Sequence, residues 1–310
     1  MRTRCPTGCG CDVIDLDEFA AAVGTEGPVT IRGAGSRGGA VPGVRTVHAP
    51  TGIDWIQADE MTVCCGAGTP VDELAAALAE VGQRTVLPVG GTVGGALAVG
   101  VSSVRRLGDG PVRDALLQAR YVSAAGEVVK AGGPTVKNVS GFDLCRLLVG
   151  SHGTLGFLGD MIVRTRPLPL ASQWFTTLAD DPYPLFCALY RPASVLWDGH
   201  RVWVLLDGHP RDVERTAAQH RFVACEAPVV PIDHRTVVAP SAVAATLASL
   251  PEDSALAEVG IGAIHLRSGA MVATTSTAPE VAAVQRRVKA LFDPAGRLNP
   301  GVVLAGAPTT

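Results

Sequence analysis

Val29-Thr30-Ile31-Arg32-Gly33-Ala34-Gly35-Ser36-Arg37-Gly38-Gly39 is a short β-branched run that passes directly into a glycine loop. Gly33-x-Gly35-x-x-Gly38 has the spacing of the dinucleotide fingerprint, but that fingerprint needs a helix to open at the loop and face the pyrophosphate. Gly38-Gly39-Ala40-Val41-Pro42-Gly43 starts a helix poorly, and a second strand, Val44 to Ala49, follows instead. A P-loop fails as well, since no Gly-Lys-Ser/Thr closes the motif. Successive N–H groups of a glycine loop can still turn inward as an anion-binding nest, with Arg32 and Arg37 adding charge opposite a diphosphate. An ordinary flexible strand connection fits this loop equally well, so the choice stays open at this point.

Reading outward, Asp15 and Glu18 form a capping-box pair for a helix to Val23, with Leu16, Phe19 and Val23 on one face and Gly24 as its stop. Met61 to Cys65 reads as a strand closed by Gly66-Ala67-Gly68, with Cys64 and Cys65 as small core fillers on opposite faces. Thr69 is expected to cap the next helix, with Pro70 at its first position, an apolar stripe of Val71, Leu74, Leu78 and Val81, and a stop at Gly82. Within the glycine-rich stretch Pro88 to Gly100, Pro88 to Ala96 is too rich in small residues to build a core by itself, so its expected use is close backbone approach to a large flat ligand. Strands at Ala115 to Val122 and Glu127 to Lys130 precede a third glycine-containing region, Val136 to Asp143 and Gly150 to Gly156. Three such segments before residue 157 imply one extended cofactor gripped by several loops, without help from a helix dipole. Leu155 to Arg166 completes this region, and Pro167-Leu168-Pro169 marks a boundary.

Beyond it the order is strand Gln173 to Leu178, helix Pro182 to Tyr190, strand Ser194 to Asp198, strand Arg201 to Asp207, helix Pro210 to Phe222 and strand Pro228 to Ile232. That βαββαβ order is ferredoxin-like, with Gly199-His200 as its central hairpin. A helix near Val243 to Leu250 and strands near Ala257 to Leu266 and Met271 to Thr275 follow. The last helix, Pro279 to Phe292, is expected to bury Val281, Val284, Val288 and Leu291.

The 310 residues are 47% hydrophobic and 18% charged, with a net charge of -3, which indicates a well-buried globular chain. No run of Lys or Arg exceeds two residues, so a nucleic-acid footprint is not expected. The most apolar stretch, Val86 to Val101, carries Pro88 and a set of glycines and does not read as a membrane span. The N-terminus lacks the apolar core of a signal peptide, so a cytoplasmic location with reduced cysteines is expected. Cys5, Cys9 and Cys11 lack the C-x2-C pairing and further ligands of zinc or iron–sulfur sites, so no metal site is assigned.

As a set, IRGAGSRGG, GTPVDELAAAL, VGGTVGGALAVG, VRD, VKNVSGFDLCRLLVGSHGTLG and the terminal FDPAGRLNPG resemble the FAD-binding PCMH-type flavoproteins, the vanillyl-alcohol oxidase and p-cresol methylhydroxylase family. Within that family the short cap and the KNVSGFDLCRLLVGSHGTLG block are most similar to the FAD-binding small subunit of glycolate oxidase. The resemblance implies an α+β fold: a two-subdomain FAD-binding domain over 1–168, a ferredoxin-like cap over 169–278, and a helix and tail over 279–310 that return to the FAD domain. By similarity Arg32, Gly33, Ala34, Gly35, Ser36, Arg37, Gly38 and Gly39 bind the diphosphate. Pro88, Gly91, Thr92, Gly94, Gly95, Gly100 and Ser102 line the diphosphate and flavin, and Gly153, Gly156 and Ile162 approach the adenosine end or the adjoining pyrophosphate. Some relatives attach the flavin through a His in the first loop or a Cys after the second. Here Ser36 and Arg37, and Ser102 and Ser103, stand there, so FAD is expected to be non-covalent.

Oxidation of a hydroxy acid by flavin also needs a base for the hydroxyl proton and a cation for the carboxylate. The histidine-rich metal motif by which catalytic relatives meet the second need is missing. His265, on a strand, is a weak catalytic candidate against a bland reading as a satisfied core histidine. His152 is expected to meet FAD or its loop, and Arg105 and Arg106 either an anionic substrate or a partner's acidic face. Lys137 and Asn138 reach the flavin edge or stabilise a turn, and Asn299 contacts the flavin or caps the tail turn. The resemblance thus implies the FAD subunit of a glycolate-type 2-hydroxy-acid oxidising complex, beside a larger flavin subunit carrying the substrate chemistry and an iron–sulfur subunit taking electrons. The alternatives are a stand-alone flavin oxidase of another alcohol or sugar-like substrate, and a scaffold whose FAD is structural.

Overall fold

A computed structural model describes residues 14–36, 41–134, 143–270 and 278–302. Cys5, Cys9, Cys11, Arg37, Gly38, Gly39, Lys137, Asn138 and the strand expected at Met271 to Thr275 lie outside them. The chain divides into two units, one of residues 1–103, 111–168 and 276–310, the other of 104–110 and 169–275. Both mix helix and sheet, which makes the fold α+β.

In the first unit Asp15 caps helix Leu16–Val23 by accepting from the amides of Asp17 (2.8 Å) and Glu18, and the helix ends at Gly24 with φ +63°. Leu16, Phe19 and Val23 pack with Val29, Val47, Phe157 and Leu298 in a small core. Strands β1 (Val29–Ile31) and β2 (Arg45–Val47) pair in parallel. Five further strands are β3 (Ile53–Gln57), β4 (Thr62–Gly66), β5 (Gln83–Thr85), β6 (Leu116–Val122) and β7 (Val128–Gly132). With β8 (Phe157–Pro167) they form an antiparallel sheet in the order β3-β4-β8-β6-β7, and β5 pairs with the far end of β8. Cys64 and Cys65 are buried in β4, and burial pushes the Cys64 thiol up to about 12, so neither is a reactive thiolate.

Several expectations are corrected here. Helix Val71–Glu80 starts after Pro70, and the Thr69 hydroxyl does not cap it; instead it exchanges two 3.0 Å bonds with the Gly52 backbone, tying two loops together. Leu74 and Leu78 are fully buried, but Val81 lies past the last helical residue and is exposed. The stretch Pro88 to Gly100 is not all loop: it contains helix Val93–Val99, with Thr92 as cap and Ala96 and Leu97 fully buried against other elements. Gly94 also serves packing, since a Cβ there would lie 2.7 Å from the Ala67 Cβ. Gly100 closes the helix with φ +72°, where a side chain would meet Gly150 at 2.9 Å. The C-terminal helix Pro279–Phe292 is also turned away from its expected phase. Ala282 is buried, and Val288 and Phe292 pack on the core, while Val281, Val284 and Leu291 are exposed. Lys289 fixes that rotation by reaching inward, as described below.

The second unit runs β9 (Ala171–Leu178), helix Tyr183–Ala188, β10 (Ser194–Trp197), β11 (Arg201–Gly208), helix Pro210–His220 and β12 (Val223–Cys225). The order β12-β9-β11-β10, all antiparallel, is the ferredoxin-like arrangement. Its last strand is Val223–Cys225 rather than Pro228 to Ile232, because Arg221 takes a left-handed conformation (φ 55°) and turns the chain back at once. Beyond the expected motif, β13 (His234–Val237), β14 (Ala255–Glu258) and β15 (Ala263–Leu266) extend the sheet in the order β10-β14-β15-β13. Val213, Ala217, Val243 and Leu247 of the helices pack with Val195, Trp197, Val204, Ala257 and Ile264 on one face of this sheet. No helix among the described residues is long and apolar enough to cross a membrane.

Candidate functional site

Arg32 makes the last bond between β1 and β2, its amide donating to the Val47 carbonyl at 3.0 Å. Past it the chain leaves the ladder, and the amides of Gly33, Ala34 and Gly35 donate to no acceptor among the described residues. They stand at a cavity of about 330 Å³ in the first unit. The three residues are exposed, so water can take these N–H groups in the free protein, and three in a row with Gly35 at φ +75° suit an anion with several acceptor oxygens.

The opposite wall is the start of helix Val93–Val99, a helix N-terminus where none was expected. Its first amides are already used: Val93 donates to the Thr69 carbonyl (2.9 Å), Gly94 to that of Ala67 (2.8 Å) and Gly95 to Thr92 Oγ1 (3.2 Å). A helix end is an anion site through its unpaired N–H groups, so here the loop of Gly33 to Gly35 remains the better donor set. Gly33 fits only as glycine, because a Cβ there would lie 2.7 Å from Thr92 Oγ1.

The third wall is the turn Ser151-His152-Gly153 with Gly156, Phe157 and Leu158. His152 has φ +51°, and its ring has no hydrogen-bond partner among the described residues. Burial holds its pKa below the ordinary histidine value, so the imidazole is neutral at pH 7 and able to donate or accept.

Asn299 closes the site from the C-terminal tail. Its Oδ1 accepts from Thr30 Oγ1 (2.8 Å) and the Ile31 amide (3.1 Å), its Nδ2 donates to the His152 carbonyl (2.7 Å), and its amide donates to the Val29 carbonyl (2.9 Å). It caps no tail turn with its side chain; it joins the strand that feeds the glycine loop to the His152 turn. The tail is held in turn by Arg297, which is buried and donates five bonds to the carbonyls of Val23, Gly24, Glu26, Gly27 and Ala124. Lys289 Nζ reaches the Thr154 and Leu298 carbonyls (2.7 and 3.0 Å) and Asp293 Oδ2 (2.5 Å). The Asp293 carboxylate also accepts from the Arg297 and Leu298 amides (3.0 and 2.7 Å).

Burial pushes the Asp293 carboxyl up, but Lys289 and the two amides together outweigh it and hold the pKa below the usual carboxylate range. A depressed acid stabilises the fold above the unfolded-state value and loses that contribution as pH falls through the folded one. Asp293→Asn is therefore expected to be less stable than the parent at pH 7, with the gap closing below about pH 4. Urea unfolding at the two pH values tests this, and a gap independent of pH would refute it.

Of the residues named from sequence, the cavity gathers Arg32, Gly33, Ala34, Gly35, Ser36, Thr92, Gly94, Gly95, Gly153, Gly156 and Asn299. Pro88, Gly91, Gly100, Ser102 and Ile162 are not on its lining. The Gly91 carbonyl accepts from the Val71 amide at 3.0 Å, and the Ser102 hydroxyl accepts from the Val112 amide at 3.0 Å. Ile162 is buried between Cys64 and Gln118 in the sheet. Arg105 belongs to the second unit, where it pairs with Asp207 and lies 3.7 Å from Asp109. Sequence reading passed over Ala49, Ala98, Val99, Phe157 and Leu158 as lining residues. They carry no polar signal; only their small size, or their place beside a glycine, sets them apart.

Residues 11–132 match the FAD binding domain family, and residues 260–303 match the C-terminal domain of FAD linked oxidases. The chain belongs to the PCMH-type FAD flavoproteins. FAD is its cofactor, and a glycine-walled cavity with unpaired amides fits a dinucleotide's diphosphate. This flavoprotein is 35% identical over 168 residues to glycolate oxidase subunit GlcE of Escherichia coli, a stretch covering 51% of this chain and 47% of the relative. It is 36% identical over 149 residues to a D-lactate dehydrogenase of Archaeoglobus fulgidus, covering 45% of this chain and 33% of the relative. The matched stretches thus span less than half the length of these curated relatives. Among solved structures, an alkyldihydroxyacetonephosphate synthase superposes with a TM-score of 0.62 at 15% identity, covering 92% of this chain and 74% of that one, which shows a shared fold.

Proposed function

We propose that this flavoprotein holds FAD non-covalently and serves as the FAD-binding subunit of a complex that oxidises 2-hydroxy acids of the glycolate class. Its partners in that reading are a larger flavin subunit and an iron–sulfur subunit that takes the electrons. The observation that carries the cofactor part is the row of amides at Gly33, Ala34 and Gly35, without acceptors among the described residues, on the lining of a glycine-walled cavity. These amides and Arg32 take the diphosphate, Thr92, Gly94 and Gly95 bound it on the other side, and Gly153 and Gly156 leave room for its continuation. Asn299 positions both walls, and neutral His152 offers a hydrogen bond without adding charge. Ser36 and Ser102 stand where a histidyl or cysteinyl flavin link would need another residue. When bound, FAD supplies the redox step by accepting a hydride. The substrate class and the partners rest on the glycolate oxidase and lactate dehydrogenase relatives.

The test is the absorbance spectrum of the purified protein before and after acid precipitation. Flavin bands that move to the supernatant are expected. A colourless polypeptide that takes up no added FAD refutes the cofactor reading, flavin retained in the pellet refutes the non-covalent link, and fast turnover of glycolate by the isolated chain with a dye acceptor refutes the subunit reading.

A further inference from the structure

Helix Pro279–Phe292 carries its apolar stripe on the outside. Val281, Val284, Val288 and Leu291 recur three, four and three residues apart, the spacing of a helix–helix seam. Val281, Val284 and Leu291 are 49, 56 and 80% exposed, and of the four only Val288 packs on the core. The helix meets the first unit instead through buried Ala282 and through Lys289, roughly a third of a turn away. Scattered exposed apolar residues are ordinary, but a seam along one helix is a continuous patch of the kind that marks a contact.

The fold holds this seam outward. Rolling it in would carry Lys289 Nζ away from the Thr154 and Leu298 carbonyls and leave the buried Asp293 carboxylate without its cation. Those bonds also fix the tail that brings Asn299 to the cavity, so burying the seam that way would disturb the cavity wall. The seam is therefore covered from outside or not at all.

Charge separates the candidate occupants. Glu280 and Arg287 flank the seam on its solvent side. Glu280 lies in the first turn, where an acid suits the helix dipole. Arg287 sits mid-helix, exposed, and makes no ion pair among the described residues. A second copy fits badly. An antiparallel pair that covers the whole seam sets Val281 opposite Leu291 and Val284 opposite Val288, and its flanks then bring the two copies of Arg287 together. Shifting the pair by one heptad sets Glu280 beside Arg287 but leaves Leu291 uncovered. A lipid surface fits poorly too, because the exposed part of the seam is two valines and a leucine, with no aromatic anchor.

We infer that this seam is the docking surface for a helix of another polypeptide, one with its own apolar seam and an acidic residue placed against Arg287. That the helix belongs to a partner subunit of the oxidising complex rests on the proposed function, whereas the surface does not.

The probes are labelled amphipathic peptides of about three heptads with leucine and valine at the seam, flanked in one by glutamate and in the other by lysine. They are titrated into the full-length holoprotein at low salt and followed by fluorescence anisotropy. The acidic peptide is expected to bind with a Kd of about 50 µM, and the basic one at least about fivefold more weakly. Val284→Ala with Leu291→Ala removes exposed apolar surface and suits a helix, and is expected to weaken the acidic peptide about tenfold or more. Arg287→Glu is expected to reverse the preference between the peptides, and about 0.5 M salt to erase it in the parent. None of these residues lines the FAD cavity, so flavin content stays parental in every variant, and a colourless parent counts against the cofactor reading alone. No binding of the acidic peptide at about 1 mM overturns the inference, as does parental affinity in the alanine variant or a preference that Arg287→Glu leaves unchanged. Self-association of the parent in sedimentation velocity that the alanine variant abolishes overturns it in favour of a second copy. Binding of phosphatidylglycerol vesicles that the same variant loses overturns it in favour of a lipid surface.

Discussion

Replacing Arg297 with methionine is expected to lower the unfolding free energy of the first unit by about 4 kcal/mol. The guanidinium is buried and spends all its donating edges on five main-chain carbonyls, three of which follow helix Leu16–Val23. A charged donor to a carbonyl is worth more than a neutral one, and methionine keeps only the stem, taking from the Gly24, Gly27 and Ala124 carbonyls their donor while those of Val23 and Glu26 keep Arg45. Arg45 provides the comparison, because it donates to the same turn from a more exposed position, at 2.8 Å to the Val23 carbonyl and 3.4 Å to that of Glu26. There water replaces the lost donor, so Arg45→Met is expected to cost about 1 kcal/mol or less. Arg297→Lys should recover little, since one ammonium cannot reach five acceptors. Urea unfolding followed by circular dichroism measures all three. An Arg297→Met loss no larger than that of Arg45→Met would show that the tail is not anchored by this side chain.

That anchor also shows what a linear reading reaches. Helix Leu16–Val23 and the βαββαβ order were legible because their signals are local: a capping aspartate, a 3.6-residue apolar period, a Gly-His hairpin. Helix Val93–Val99 was not, because its glycines read as a loop, while the close approach of Ala67 makes glycine the residue that lets this helix pack. The phase of the C-terminal helix was lost for a similar reason. Val281, Val284 and Leu291 form the better apolar stripe, yet the bonds of Lys289 to Thr154, Asp293 and Leu298 fix the rotation. At the site, the glycine loop announced itself by composition. Gly91, Gly100 and Ser102 lie off the cavity lining, where Gly91 and Ser102 accept local bonds and Gly100 closes a helix. Asn299 acts across 269 positions on Thr30 and across 147 on His152, and no periodicity encodes contacts of that range. The setting of His265 was hidden for the same cause: its ring lies 2.9 Å from Glu258 Oε1, and its cross-strand partner Arg235 sits on β13, a strand that was not expected.

Gly33→Val tests the cradle most directly. The new Cβ would lie 2.7 Å from Thr92 Oγ1 and 3.4 Å from its methyl, so either the loop or Thr92 has to move. Thr92 is not free to yield, because its hydroxyl accepts from the Gly95 amide and caps the helix that forms the facing wall. The loop gives way instead, and the amides of Gly33, Ala34 and Gly35 shift from their places on the cavity lining. Overpacking of this kind costs about 1–3 kcal/mol, and misdirected donors add to it, so FAD affinity is expected to fall about 100-fold or more. Gly133→Ala is the control, because a Cβ there meets nothing within 4 Å and the backbone is not left-handed. It should purify with the parental flavin-to-protein ratio, whereas Gly33→Val should lose most of its flavin on a desalting column. Fluorescence titration of the two apoproteins with FAD supplies the affinities. If Gly33→Val bound FAD within about threefold of the parent, a difference below about 0.7 kcal/mol, the diphosphate would have to be held somewhere other than this loop.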